Sequence, residues 1–411
     1  MKILDDLAVL NRDQRATFIA SVLGWSLDAF DFFLMVFVVR AIASDFRAQV
    51  VEVAFAITLT LAFRPLGALV FGWLAEQHGR RPILMIDVLL FSFFELATAF
   101  APSLFVFLIL RALFGFAMGG EWGLGASLVM ESIPAQSRGT VSGILQQGYP
   151  LGYLMASVVY GLFYDHIGWR GLFIVGVAPA LLVFFIRFNV KESPVWEQSR
   201  RRAQKPDLPA ALGRHWKSFL YVILLMTAFN FFSHGTQDLY PTFLQAQHQL
   251  STHQVSAISI VMNIGAIIGG ITFGFYSQII GRRRAIITAA LLALPVIPLW
   301  AFSTTPLLLA LGAFLIQVSV QGAWGVVPAH LNELSPEELR GTFPGFAYQL
   351  GNLLAASNAI LQPILARNLG GNYGLALAIV VAAAVLAIVV ITACGKEAKE
   401  AVFGGDPLSP R

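Results

Sequence analysis

Residues 230–242 read NFFSHGTQDLYPT, placing an imidazole, a carboxylate and two carboxamides between Asn230 and Asp238. Such a set can bind and release a proton, hydrogen-bond a polar ligand and pair with a charge. At about 100° per helical residue, Asn230, Ser233, His234, Gln237 and Asp238 fall within an arc of about 140°. Thr236 lies opposite them, where packing is its natural role. Pro241 cannot donate to the carbonyl of Gln237, so it frees an oxygen beside this stripe. The flanks are apolar, FLYVILLMTAF before and ISIVMNIGAIIGGITFGF soon after. A charge at bilayer depth costs at least ~2.5–3.5 kcal/mol, and ionisable groups there are functional by default. For Asn230 and Ser233 the competing reading is hydrogen bonding between neighbouring helices.

Other charges lie in similarly apolar surroundings. Asp28, Asp31, Asp87, Glu95, Glu121 and Asp238 stand against Arg64 and Arg111 alone. Glu95 is expected to pair with Arg111, and Asp87 with Arg80 or Arg81. Asp28, Asp31, Glu121 and Asp238 then share Arg64 and a protonated His234. Carboxyl groups without a partner in low dielectric take up protons. The sequence therefore predicts proton-binding carboxyls near the midplane. Ser21, Gly24, Trp25, Asp28, Asp31 and Met35 share one helical face. A structural ion pair from Asp28 or Asp31 to Arg64 is the competing reading. Arg64, always charged and bidentate, is the anion-binding candidate. Asn263, Gln317, Gln321, Asn352 and Asn358 are neutral polar positions that suit a hydroxyl or keto group, or packing.

These residues need elements to hold them. Of 411 residues, 57% are hydrophobic and 12% charged, with mean hydropathy +0.72. Soluble domains carry roughly 25% charged residues. Twelve apolar runs of about 20 residues each occur at roughly 16–40, 52–75, 82–100, 103–130, 139–164, 169–190, 217–245, 253–277, 284–302, 304–331, 341–366 and 373–394 (spans 1 to 12). Runs this long fit helices and not alternating barrel strands. Of 27 Lys and Arg, 20 fall in one set of loops and tails. The positive-inside rule makes that face, and both termini, cytoplasmic. The basic excess is thus topology, with no nucleic-acid partner expected.

The polar segment KESPVWEQSRRRAQKPDLPAALGRHWK divides the chain. The expected organisation is a cytoplasmic N-terminus (1–15), a six-helix bundle (16–190), a linker (191–216), a second bundle (217–394) and a cytoplasmic tail (395–411). An offset of 202 superposes GEWG at 120–123 on GAWG at 322–325, Glu131 on Glu333, RGTVSG at 138–143 on RGTFPG at 340–345, and GWLAEQHGRR at 72–81 on GFYSQIIGRR at 274–283. Parallel six-helix repeats with a midplane site between them are a transporter architecture. The fold class expected is an all-α membrane protein with two pseudo-symmetric bundles.

The GWLAEQHGRR segment resembles the loop motif of the major facilitator superfamily, with Glu76 where that motif usually has Asp. RALFGFAMGG at 111–120 resembles its fourth-helix motif, with Arg111 in the arginine's place. The resemblance implies structural or gating roles for Gly72, Gly79, Arg80, Arg81, Glu95, Arg111, Glu131 and Arg138, and for Gly274, Gly281, Arg282, Glu333 and Arg340. Residues 230–242 fit N-x-x-[ST]-H-x-[ST]-Q-D-x-x-x-T at seven specified positions. That pattern is similar to the signature of proton-coupled lactate and short-chain monocarboxylate permeases within the sialate/proton symporter group. LDAFDFF in span 1, GGEWG in span 4 and YQLGN at 348–352 also look like that group.

The resemblance implies substrate contacts at Arg64, Asn230, His234, Gln237 and Gln349. The charge count adds a proton-coupling set of Asp28, Asp31, Glu121, His234 and Asp238. The expected function is electroneutral symport of a proton with a small monocarboxylate such as lactate or pyruvate, across the cell (inner) membrane, by a monomer. Another acid (sialate, an aromatic acid) and a transporter-derived carboxylate receptor are the alternatives. No phosphate loop, zinc-spaced Cys/His set or nucleophile–base pair is present, so neither a cofactor nor an enzyme is expected. Cys394 is the single cysteine, and no cleavable signal peptide is read in span 1.

Overall fold

The computed structural model describes residues 2–201, 208–399 and 401–403. Positions 202–207 of the expected linker, and 400 and 404–411 of the expected tail, lie outside the described residues. Those described are helical or irregular, without strands. Ten helical stretches are long and apolar enough to cross a membrane. One of them, Ala135–Asn189, is 55 residues long. At ~1.5 Å per residue that is far more than a ~30 Å hydrocarbon core needs. Gly168, with φ +63°, breaks it into two crossings, 138–167 and 169–189. Phe343–Ala355 and Asn358–Asn368 stack end to end as a further crossing. The architecture is therefore twelve spans.

In the structure the spans run Arg12–Asp45, Val50–His78, Arg80–Ala99, Leu104–Ser132, 138–167 and 169–189 in the first half. The second half has Trp216–Ala246, Thr252–Ile280, Arg282–Phe302, Pro306–Leu334, 343–368 and Tyr373–Cys394. Span 1 begins at Arg12 because Asn11 closes a capping box with Gln14. Ser251 and Gln254 start span 8 in the same way. Several spans expected to be continuous are interrupted, among them spans 4, 7 and 10 at sequence-readable places. Span 4 breaks at Gly119–Gly120, span 10 at Gly325, and span 7 after Gln237, where Pro241 lies in the first turn of Tyr240–Ala246. The linker contains two short helices, Pro194–Arg201 and Leu208–Arg214, and Trp196 Nε1 donates to the Glu76 carbonyl at 2.8 Å. Leu181, Phe184, Leu307 and Leu386 point outward, as lipid-facing side chains must.

The two halves meet toward the basic-loop ends of the spans. A Cβ added at Gly72 would lie 2.7 Å from Thr342 Cα, and one at Gly274 would lie 2.5 Å from Gly143 Cα. Ser127 donates to the Arg340 carbonyl at 2.7 Å, and Ser142 to that of Gly325 at 2.7 Å. The repeat offset reappears in detail. Gly79 and Gly281 both take left-handed φ, +105° and +95°, to turn one span into the next. Arg80 meets Glu131 at 3.3 Å, and Arg282 meets Glu333 at 2.9 Å, all buried. Glu76 Oε1 accepts from Gly341 N at 2.5 Å, while Gln278 Oε1 accepts from Gly139 N at 3.1 Å.

Candidate transport site

Between the halves lies a cavity that, counting the open space at its mouth, encloses about 610 Å³. The inter-half contacts pack the side of it toward the basic loops. Span 1 contributes Trp25, Asp28, Ala29 and Phe32, and span 2 contributes Leu61 and Arg64. Asn230, Ser233 and His234 line it from span 7, with Gln321 and Trp324 from span 10 and Tyr348 and Asn352 from span 11.

The first-half wall carries a buried ion pair. Arg64 Nη2 lies 3.2 and 3.1 Å from the two Asp28 oxygens, with side chains 6% and 1% exposed. This uses one nitrogen of the guanidinium. Nε is buried and has no hydrogen-bond partner among the described residues, so the guanidinium is only partly committed. Phe32 lies 5.7 Å from the Arg64 carbon, walling the charge from one side. The second-half wall carries a histidine held at both nitrogens. Nδ1 faces Asp238 at 3.1 Å and Nε2 faces Asn352 at 3.1 Å. Asp238 is 43% exposed and, unlike His234, lies outside the cavity lining. His234 and Asp238 are one turn apart on one face of the last helical turn, where such neighbours meet.

Not every expected site residue reaches the cavity. Gln349 is buried in span 11 with both amide atoms unpartnered and outside the lining; Tyr348 and Asn352 of the same span take that place. Gln237 is also outside it, bonded to Gln317, which in turn donates to Thr236. Asp31 and Glu121 are buried within the first half, behind the wall. Neither Asp31 oxygen has a hydrogen-bond partner among the described residues. The shared face predicted for span 1 therefore points into its own bundle at Ser21, Gly24 and Asp31, and only its edge at Trp25 and Asp28 meets the cavity. Glu95 and Arg111 pair at 2.6 Å, both fully buried. Asp87 does not meet Arg80 or Arg81. Arg80 is taken by Glu76 and Glu131, Arg81 by the Arg187 carbonyl, and Asp87 lies deep beside Gly120.

The structure also brings in residues the sequence reading passed over. Trp324, Gln146, Tyr149 and Phe32 line the cavity, and Glu192 and Glu397 cap the backbone N–H groups of Arg80–Arg81 and Arg282–Arg283. The repeat pairs Trp122 with Trp324, a signal that pointed to this indole. Nothing comparable in the sequence marked the two glutamates.

Comparison with known proteins agrees with this architecture. Residues 18–237 match the family model described as Major Facilitator Superfamily, and residues 208–396 match Sugar (and other) transporter. A carboxylic acid transporter protein homolog of Saccharomyces cerevisiae is 29% identical over 376 residues, spanning 85% of this chain and 61% of that protein. The sialic acid transporter of Escherichia coli is 26% identical, over 94% of this chain and 95% of its own length. A solved proton:xylose symporter, bound to 6-bromo-6-deoxy-D-glucose, shares the fold with TM-score 0.80 at 18% identity, over 95% of this chain and 98% of that one. The chain belongs to the Major Facilitator Superfamily and is a multi-pass membrane transporter, not an enzyme.

Proposed function

We propose that this transporter moves a small monocarboxylate together with a proton. The observation that carries this reading is the partly committed Arg64, bonded to Asp28 through one nitrogen and sharing one cavity with His234, which Asp238 holds from behind. An entering carboxylate takes the unused part of the guanidinium fork. Competition for Arg64 loosens Asp28, which then becomes a place for the proton. His234 and Asp238 offer a second relay, and Asp31 and Glu121 are further buried carriers in the first half. The loaded cavity closes on one side and opens on the other as the bundles rock about the site. We place the basic loops and both termini in the cytoplasm and the protein in the cell (inner) membrane.

One proton with one monoanion carries no net charge. A pH difference of one unit then supplies about 1.4 kcal/mol, roughly tenfold accumulation. The test is labelled lactate uptake into proteoliposomes with a pH gradient and a membrane potential imposed separately. Accumulation driven by the pH gradient alone is expected, and accumulation driven by potential alone overturns electroneutral coupling. A larger acid is the second reading, favoured by the resemblance to a sialic acid transporter. Under it, sialate competes with lactate or replaces it.

A further inference from the structure

From unsatisfied hydrogen-bonding groups on the cavity walls, we infer that the substrate carries an oxygen function beyond its carboxylate, a hydroxyl or keto group, read by Trp25, Gln321 and Trp324. This rests on the proposal of acid transport. Among the lining residues, Trp25 Nε1, Trp324 Nε1 and Gln321 Oε1 are buried and have no hydrogen-bond partner. Each is the polar end of a side chain at most 4% exposed. A neighbouring indole shows the contrast. Trp122 packs behind the cavity against Tyr348, with ring centroids 4.7 Å apart, and its Nε1 is satisfied by Gln146 at 3.3 Å. Trp300, far from the cavity, also lacks a partner. An orphaned indole is therefore not itself a site, but two of them and a carboxamide oxygen around one cavity are a recognition set.

The three residues come from both bundles. Trp25 stacks on Tyr149 at 5.9 Å, Trp324 meets Tyr348 edge-on at 5.6 Å, and Tyr348 also meets Trp25 at 6.5 Å. These rings fix the indoles in place, so the donors cannot swing away to find other partners. Closure of the cavity brings the two walls onto the substrate. An alkyl acid such as propionate leaves both N–H groups unanswered, whereas a 2-hydroxy or 2-keto acid of similar size offers them an acceptor. A hydroxyl can also donate to Gln321. Sites built to hydrogen-bond a substrate reject the analogue that lacks the group. One orphaned buried donor corresponds to a discrimination between about fivefold and 150-fold.

The experiment compares initial uptake of labelled lactate, pyruvate and propionate into proteoliposomes under an inward proton gradient, for the native protein and for Trp25→Phe, Trp324→Phe and Gln321→Leu. The native protein is expected to prefer lactate or pyruvate over propionate by at least ~tenfold in kcat/KM. Each Phe variant keeps an aromatic ring and is expected to shrink that ratio several-fold, with unfolding temperature as the check on integrity. Equal native handling of lactate and propionate overturns the inference while acid transport stands. An unchanged ratio in all three variants overturns the residue assignment. Transport of none of the three acids removes the underlying reading and this inference with it.

Discussion

The two halves of this transporter share a scaffold and differ at their centre. On the basic-loop face the copies agree almost atom for atom: a left-handed glycine, a buried Arg–Glu pair, and a side-chain oxygen accepting from a backbone N–H across the interface. At the cavity the agreement ends. The first half presents a fixed cation on a carboxylate, Arg64 on Asp28, with Asp31, Asp87, Glu121 and the Glu95–Arg111 pair buried behind. The second half presents a histidine and amides, His234, Asn352 and Gln321, with no arginine in the lining. Repetition survives where both halves perform the same task, closing one face. It is lost at the cavity, where one wall carries a fixed cation and buried acids and the other a titratable histidine and neutral polar groups.

The largest expected effect comes from Arg64→Gln. It leaves Asp28 buried without its cation and removes the anion fork, so uptake should fall by roughly two to three orders of magnitude. Arg64→Lys should not restore it, because a point charge cannot serve Asp28 and a substrate in the same planar geometry. Initial uptake rates, with folding checked by thermal unfolding, measure this. Near-native uptake in Arg64→Gln would erase the division of labour between the walls.

Next come Arg80→Gln and Arg282→Gln, the same cut made in each copy. Each removes the main cationic partner of a buried glutamate, Glu131 or Glu333, and should destabilise by about 3 kcal/mol. Denaturation in detergent should give similar losses for the two. A pronounced asymmetry would mean the scaffolds are not equivalent.

A smaller effect is expected of His234→Gln. Gln can keep one hydrogen bond, to Asn352 or Asp238, yet cannot change charge with pH. Exchange of labelled for unlabelled substrate should persist, while accumulation driven by a one-unit pH gradient should lose most of its roughly tenfold drive. Retained pH-driven accumulation would move coupling entirely to the first half.

The smallest belongs to Glu76→Gln, since Gln278 already performs that contact in the other copy. The Gly341 hydrogen bond survives, and Arg80 keeps Glu131, so stability should change by no more than about 1 kcal/mol.

Much of this was legible before any coordinates. Apolar runs of spanning length announced helices, because lipid forces every backbone group to pair within its own segment. The 202-residue offset announced the two halves, and the paired positions Gly79/Gly281 and Glu131/Glu333 recur in matching turns and ion pairs within each. Helical geometry placed His234 one turn before Asp238, and Pro241 marked the break beside them. The same geometry misled at span 1 and span 11. A helix wheel gives the angle between side chains, not the direction in which the wheel is turned. Gln349 and Asp31 share faces with residues near the cavity, but rotation of each helix in its bundle sends them inward.

The sequence by itself determined the class of molecule, its twofold repeat, and the presence of more buried acids than fixed bases, all of which follow from composition and period. Only the tertiary structure decided the partners: that Arg64 holds Asp28 and not Asp31, that Asp87 meets neither Arg80 nor Arg81, and that Trp25 and Trp324 converge from opposite halves with their N–H groups unanswered. Partnership depends on packing between segments tens to hundreds of residues apart, and no local pattern carries that information.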